Sequence, residues 1–150
     1  MSAKAGPIKF YAVERVLAAG AAGVSVVLTA IIWQSVSQQQ EMWPLPALYL
    51  LEMIAASLGG LWGIVQGDTA GNGVAWAAAG AVFGFAIIGG FSVGFFYLPV
   101  AGLIGLAALW QARLAWQRLP MHVGLALLTA LGQAGLMLAL IRVLYPDAAF

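Results

Sequence analysis

Long runs of apolar residues, separated by short polar breaks, dominate the chain. One run begins after Arg15, a second near Leu45 and a last one after Pro120, and no charged residue occurs between Val74 and Trp110. A helix that crosses a bilayer needs about 20 apolar residues, so these runs have the length of membrane spans. Gly and Asp residues between 67 and 73 indicate a turn before the uncharged segment.

The uncharged segment is too long for one crossing, and Pro99 lies within it. A proline inside a helix removes a hydrogen bond and costs about 3 kcal/mol, whereas the first turn of a helix tolerates it. We therefore divide the segment before Pro99. The pattern predicts an all-α integral membrane protein with a single membrane domain over residues 1–150, a bundle of five transmembrane helices with short loops. The predicted helices lie at about 13–35, 45–66, 74–91, 98–115 and 122–144.

Composition supports this class and excludes two others. Hydrophobic residues make up 63% of the chain and charged residues 7%, against about 25% charged residues in a soluble domain. So few charges do not cover the surface of a soluble fold, and so much apolar surface is incompatible with disorder. The expected surroundings are a lipid bilayer, with a homo-oligomer or a larger membrane complex as possible assemblies.

The residue types also limit the chemistry. The chain has no cysteine and one histidine, so it cannot form a disulfide, an Fe–S cluster, or a structural zinc site of cysteines and histidines. Its net charge is +1 and it contains no basic run, so no nucleic acid is expected as a partner. We expect no metal, no cofactor and no catalytic residues, and we expect the single histidine, His122, to be solvated at the membrane interface.

Basic residues predict the orientation. Lys and Arg collect in cytoplasmic loops. Five spans with a cytoplasmic N-terminus place five of the six basic residues on the cytoplasmic side and only Arg142 on the other. The expected location is the plasma (inner) membrane, multi-pass, with the C-terminus outside.

Glycines recur at intervals of four along two of the predicted helices, which is typical of close helix packing in lipid. This pattern predicts helix-packing positions at Gly59, Gly63, Gly80 and Gly84. Packing within the chain is preferred to a homodimer contact, because a five-helix chain must first pack its own helices.

Glu52 is the one acidic residue well inside a predicted span. It shares a helix face with Tyr49 and with the small residues, so we expect it to point into the bundle. An ionisable residue at such a position is a candidate proton or cation site, here with Tyr49 and Arg142 as neighbours. The preferred interpretation is structural, a hydrogen bond to Tyr49, to a hydroxyl group on another helix, or to Arg142.

The fifth predicted helix has two different faces. Gln133 and Thr129 lie on one face with His122, and we expect them to bond to other helices. Arg142 lies on the opposite face with Gly124, Leu131 and Gly135. The sequence leaves open which face packs inward.

Three functions remain. The preferred one is a non-enzymatic accessory, assembly or self-associating helical-bundle protein, because loops are minimal and polar groups scarce. The alternative is a small transporter or channel that uses Glu52 as a proton or cation site. An intramembrane enzyme ranks third, because the chain has no paired carboxylates at one depth and no cysteine nucleophile.

The orientation can be tested with reporter fusions. Fusions after Gly71 and after Pro120 should both report a cytoplasmic location, because both positions follow an even number of predicted crossings. An external signal from the Pro120 fusion would contradict five spans with a cytoplasmic N-terminus.

Overall fold

The structure is a computed structural model that describes residues 11–38, 45–90, 93–113 and 116–146. Over these residues every regular element is a helix. The five long helices are α1 (Tyr11–Ser37), α2 (Leu45–Gln66), α3 (Thr69–Ile88), α4 (Leu98–Ala112) and α5 (Leu119–Leu144). Short 3₁₀ turns, Gly94–Tyr97 and Trp116–Arg118, lead into α4 and α5, and with these turns included all five segments are long and apolar enough to cross a membrane. The prediction of five long apolar helices is confirmed.

Helix α3 lies at the centre of the bundle. It packs on α2, α4 and α5, while α1 packs on α2 and α4. We call the end at which α1, α3 and α5 begin the lower end, and the opposite end the upper end. The lower end is the one that the charge pattern assigns to the cytoplasm.

The turn between α2 and α3 is shorter than predicted. We expected a turn over 67–73 and a helix from Val74, but α3 begins at Thr69. The carboxylate of Asp68 accepts a hydrogen bond from the backbone N–H of Gly71 at 2.6 Å and so caps the helix. Gly67 adopts a positive φ of 71°, which glycine reaches without strain.

Other boundaries differ from the prediction by two or three residues, and α1 extends over Tyr11–Ser37 rather than 13–35. Helix α3 ends at Ile88 rather than at residue 91. Residues 91 and 92 lie outside the described residues. Pro99 lies in the first turn of α4, as the division of the uncharged segment required. Helix α4 is assigned to Ala112 rather than to 115, and 114–115 are outside the described residues. Helix α5 begins at Leu119 rather than at His122, because Pro120 occupies its first turn.

Aromatic side chains fill the upper half of the core. Phe85 of α3 packs edge-on against Tyr97, with ring centroids 5.4 Å apart, and lies 5.9 Å from the ring of Tyr49. All three residues are buried. The lower half is filled instead by alanines from α1, α3 and α4, around Ile64 of α2. The two halves of the core therefore differ in the size of the side chains that fill them.

Glycines mark the closest backbone approaches of α3. A Cβ atom added to Gly63 would overlap the carbonyl oxygen of Gly71, and one added to Gly80 or Gly84 would overlap backbone carbonyls of α5. Gly59 differs from these three, since a Cβ atom there would meet no atom within 4 Å. Gly60, its neighbour, faces α3 and α4 instead.

This contrast on α2 gives a matched pair of substitutions. Gly63→Ala should lower the free energy of unfolding by about 1–3 kcal/mol, because its methyl group meets rigid backbone of α3. Gly59→Ala should be neutral or slightly stabilising, because the methyl group has room and alanine is the better helix former. Reversible unfolding in mixed micelles measures both, and equal stabilities for the two variants would contradict the described contact of α2 with α3.

Candidate functional site

A hydrogen bond between two polar side chains joins α2 to α5. The Nε2 group of Gln133 donates to Oε2 of Glu52 at 2.9 Å. Gln133 is buried and Glu52 half-buried. Glu52 therefore points into the bundle, and its described partner is the amide of Gln133 rather than a hydroxyl group or Arg142.

A second bond lies one helical turn above the first. The hydroxyl group of Tyr49 donates to the backbone carbonyl of Met137 at 3.2 Å. Tyr49 precedes Glu52 by three residues on α2, and Met137 follows Gln133 by four on α5. These spacings match antiparallel helices, so the two bonds form one continuous contact line.

The described structure shows which face of α5 packs inward. His122, Gln133 and Met137 are the buried residues of this helix. Arg142 is exposed on the opposite face, and so is Leu131, at 72% exposure. The structure thus places Glu52 and Tyr49 together with Gln133, and it places Arg142 apart from them.

Thr129 lies on the inward face, but its hydroxyl group bonds within its own helix. It donates to the carbonyl oxygens of Leu125 and Ala126, each at 3.0 Å. A Cβ atom on Gly80 of α3 would overlap this hydroxyl group. Thr129 therefore contributes a small packing surface against α3, and the hydrogen bond to another helix comes from Gln133.

Hydroxyl groups in the core bond to neighbouring helices or, in the case of Ser57, to the backbone of their own helix. Ser25 of α1 and Ser57 of α2 both donate to the carbonyl oxygen of Met53, at 3.3 and 2.7 Å. The hydroxyl groups of Thr29 and Tyr97 lie 2.7 Å apart. These contacts join α1 to α2 and to the start of α4, and they use the hydroxyl groups for structure.

An apolar cavity of about 410 Å³ lies at the upper end beside Tyr49. Its lining includes Val36, Phe85, Val93 and Met137. Apart from the phenol of Tyr49 the side chains that line it are hydrocarbon or thioether. Among the residues that the structure describes, its lining is therefore apolar except for the hydroxyl group of Tyr49.

The lower end contains polar side chains that sequence reasoning placed elsewhere or missed. The prediction that His122 is solvated is wrong, because the side chain is only 2% exposed. Its ring stacks on that of Trp76 of α3, with ring centroids 6.4 Å apart and an angle of 13° between the ring planes. Glu14 and Asn72 are also buried. Several buried polar atoms at this end lack a hydrogen-bond partner among the described residues. They are Glu14 Oε2, Asn72 Oδ1, Trp76 Nε1, both polar side-chain atoms of Gln111 and both ring nitrogens of His122.

One signal in the sequence points to Glu14. It begins a stripe of small and polar residues at helical spacing, which continues through Ala18, Ala21, Ser25 and Thr29. All of these residues are buried. Asn72 and Gln111 carry no such signal, because their burial depends on the short α2–α3 turn and on the position of α4.

Comparison of the chain with protein-family models, with curated proteins and with solved structures finds no match. Among the described residues no three His, Cys, Asp or Glu side chains are grouped so that they can hold a metal ion. Function must therefore be argued from the contacts of the chain itself.

The contact between α2 and α5 can be tested with methionine, which keeps the side-chain length and removes the polar end. Glu52→Met and Gln133→Met should each lower the free energy of unfolding by about 1–3 kcal/mol, because each leaves a polar partner unpaired. The double variant should lose less than the sum, with a coupling of about 1 kcal/mol. Unfolding in mixed micelles provides the measurement.

Arg142→Met is the control for this cycle. Its side chain is exposed on the other face of α5, so its effect should stay within about 0.5 kcal/mol. Strict additivity of the Glu52 and Gln133 substitutions would show that the hydrogen bond contributes nothing to the stability of the bundle.

Proposed function

We propose that this protein is a non-enzymatic membrane protein of five spans that associates with copies of itself through the outer face of α5. The observation that carries the proposal is the exposure of this helix. Only 11% of the most apolar stretch of this segment is buried within the bundle, against 56% of the corresponding stretch of α3. Helix α5 thus uses one narrow face for the fold and leaves the rest for contacts outside it.

The outer face of α5 has the spacing of a helix-pairing surface. Its central positions alternate by four and three residues, as in the seam of paired helices. These positions are Gly124, Leu128, Leu131, Gly135, Leu138 and Arg142. Leu128 and Leu131 are 67% and 72% exposed, and a Cβ atom on either glycine would meet no atom within 4 Å.

This surface, which we call the α5 seam, suits a second copy of the same helix. Glycine gives a single helix in lipid nothing to pack, and it is a poor helix former. Between two helices it allows close backbone approach, while leucines at the same seam fill the space above and below. Arg142 lies near the upper end of α5, where its side chain extends to the headgroup region without entering the contact.

Transport through Glu52 has less support. Its carboxylate is held by Gln133, and the hydroxyl groups of Ser25, Ser57 and Thr29 bond to other helices or to the backbone. Except for Ser57, which bonds within α2, these groups join helices, and this is the arrangement expected of structural polar contacts in a membrane bundle.

Cysteine cross-linking tests the self-association, since the chain has no cysteine of its own. Gly135→Cys, oxidised in the native membrane, should give a covalent dimer on a non-reducing gel, because the seam brings the two thiols together. Gly102→Cys is the matched control. This glycine of α4 is also exposed, and a Cβ atom added to it would meet no atom within 4 Å. A dimer from both variants, or from neither, would contradict pairing through α5.

A further inference from the structure

At the lower end of the bundle, three buried oxygen atoms from three helices have no hydrogen-bond partner within the described parts of the chain. They are Oε2 of Glu14 in α1, Oδ1 of Asn72 in α3 and Oε1 of Gln111 in α4. Glu14 is 4% and Asn72 5% exposed. Leaving a buried polar atom unpaired is unfavourable, and more so for a charged group, so three such atoms in one layer indicate a ligand.

The alanine cluster shows that these side chains share one layer. Its members from the three helices are Ala18, Ala75, Ala107 and Ala108. Glu14 precedes the α1 alanine by four positions, Asn72 precedes the α3 alanine by three, and Gln111 follows the α4 pair by three and four. Residues three or four apart lie on the same helix face, so all three point into the layer directly below the cluster.

An independent contact gives the same depth for Glu14 and Gln111. The hydroxyl groups of Thr29 and Tyr97 lie 2.7 Å apart, which aligns the antiparallel helices α1 and α4 at the upper end. Glu14 lies 15 residues below Thr29, and Gln111 lies 14 residues below Tyr97. At about 1.5 Å per residue, both descents are about 21–23 Å.

The α2–α3 turn borders this layer. A Cβ atom on Gly67 would lie 3.9 Å from Nε2 of Gln111. Two of the nearby guanidinium groups are engaged elsewhere: Arg15 donates to the carbonyl oxygen of Val65 at 3.4 Å, and Arg118 donates to the hydroxyl group of Thr69 at 2.7 Å.

We propose that Glu14, Asn72 and Gln111 bind a small monovalent cation, either an alkali metal ion or a primary ammonium group. Carboxylate and amide oxygens are the ligands that such ions prefer, and the three N–H donors of an ammonium group match three acceptors. A single carboxylate balances a single positive charge, whereas divalent ions are usually bound through more carboxylates. The site is separate from Glu52 and does not depend on the association of α5.

Thermal unfolding of the purified full-length protein tests this site. The midpoint Tm is measured in sodium, potassium, methylammonium and choline chloride at equal ionic strength. At least one small cation should raise Tm in a saturable way, by about 5 °C at a concentration 100-fold above Kd, while the bulky choline should not. The cation that acts distinguishes an alkali ion from an ammonium group.

Glu14→Gln keeps the shape of the side chain and removes its charge, so it should abolish the cation-dependent rise in Tm. Asp68→Asn is the matched control, because asparagine caps a helix as well as aspartate does and the acid it removes is exposed. It should retain the rise. Glu52→Gln should retain it too, and loss of the rise there would assign the cation to Glu52 and overturn the proposal.

Two other results would overturn it. One is an equal rise in choline, which reports ionic strength alone. The other is no effect of any small cation on the Tm of the parent, which shows that these side chains bind none of the ions tested. Should Glu14→Gln fail to fold, equilibrium dialysis of the parent with labelled sodium, rubidium or methylammonium decides: about one ion bound per chain supports the site, and none contradicts it.

Discussion

Close backbone contact around α3 is the constraint on which the rest of the structure depends. Helices in an apolar solvent gain little from burying hydrocarbon, because lipid is as apolar as leucine, so they associate through van der Waals contact and hydrogen bonds. In α3 the contact positions are glycine or alanine for most of its length, and it is the most deeply buried of the five helices. Gly63 and Gly71 bring α2 against it, and Gly80 and Gly84 do the same for α5.

Polar side chains then act at the positions that this packing brings together. In the upper half they are paired across helices, as in the bond of Gln133 to Glu52 and the contact of Thr29 with Tyr97. In the lower half the core is filled by alanines, and buried polar atoms there lack partners among the described residues. The upper polar groups therefore stabilise the bundle, and the lower ones are the groups to which we assign the proposed cation site.

The number of helices and most of their ends could be predicted because they depend on local properties. Apolar runs of spanning length, Pro46, Pro99 and Pro120 are visible in the sequence itself. The predicted start of α3 was too late because the glycines around Asp68 are typical of a turn, whereas the carboxylate of Asp68 caps the helix. Partners across helices depend on rotation about the helix axis, which leaves no local signal. The sequence therefore indicated that Glu52 points inward but not that Gln133 would meet it, and it gave no reason to bury His122.

The one-sided attachment of α5 has a consequence for biosynthesis. Helices α1 to α4 pack on one another without it, since α3 is in contact with α2 and α4, and α1 with both of these. A membrane protein is synthesised from its N-terminus, so every residue that these four helices use for their mutual contacts is made before α5. Helix α5 packs along α3, where glycines allow its backbone to approach closely. The carboxylate of Glu52 accepts a hydrogen bond from the amide group of Gln133 on α5. The contacts of α5 are thus added to a template of four helices that precede it in the sequence.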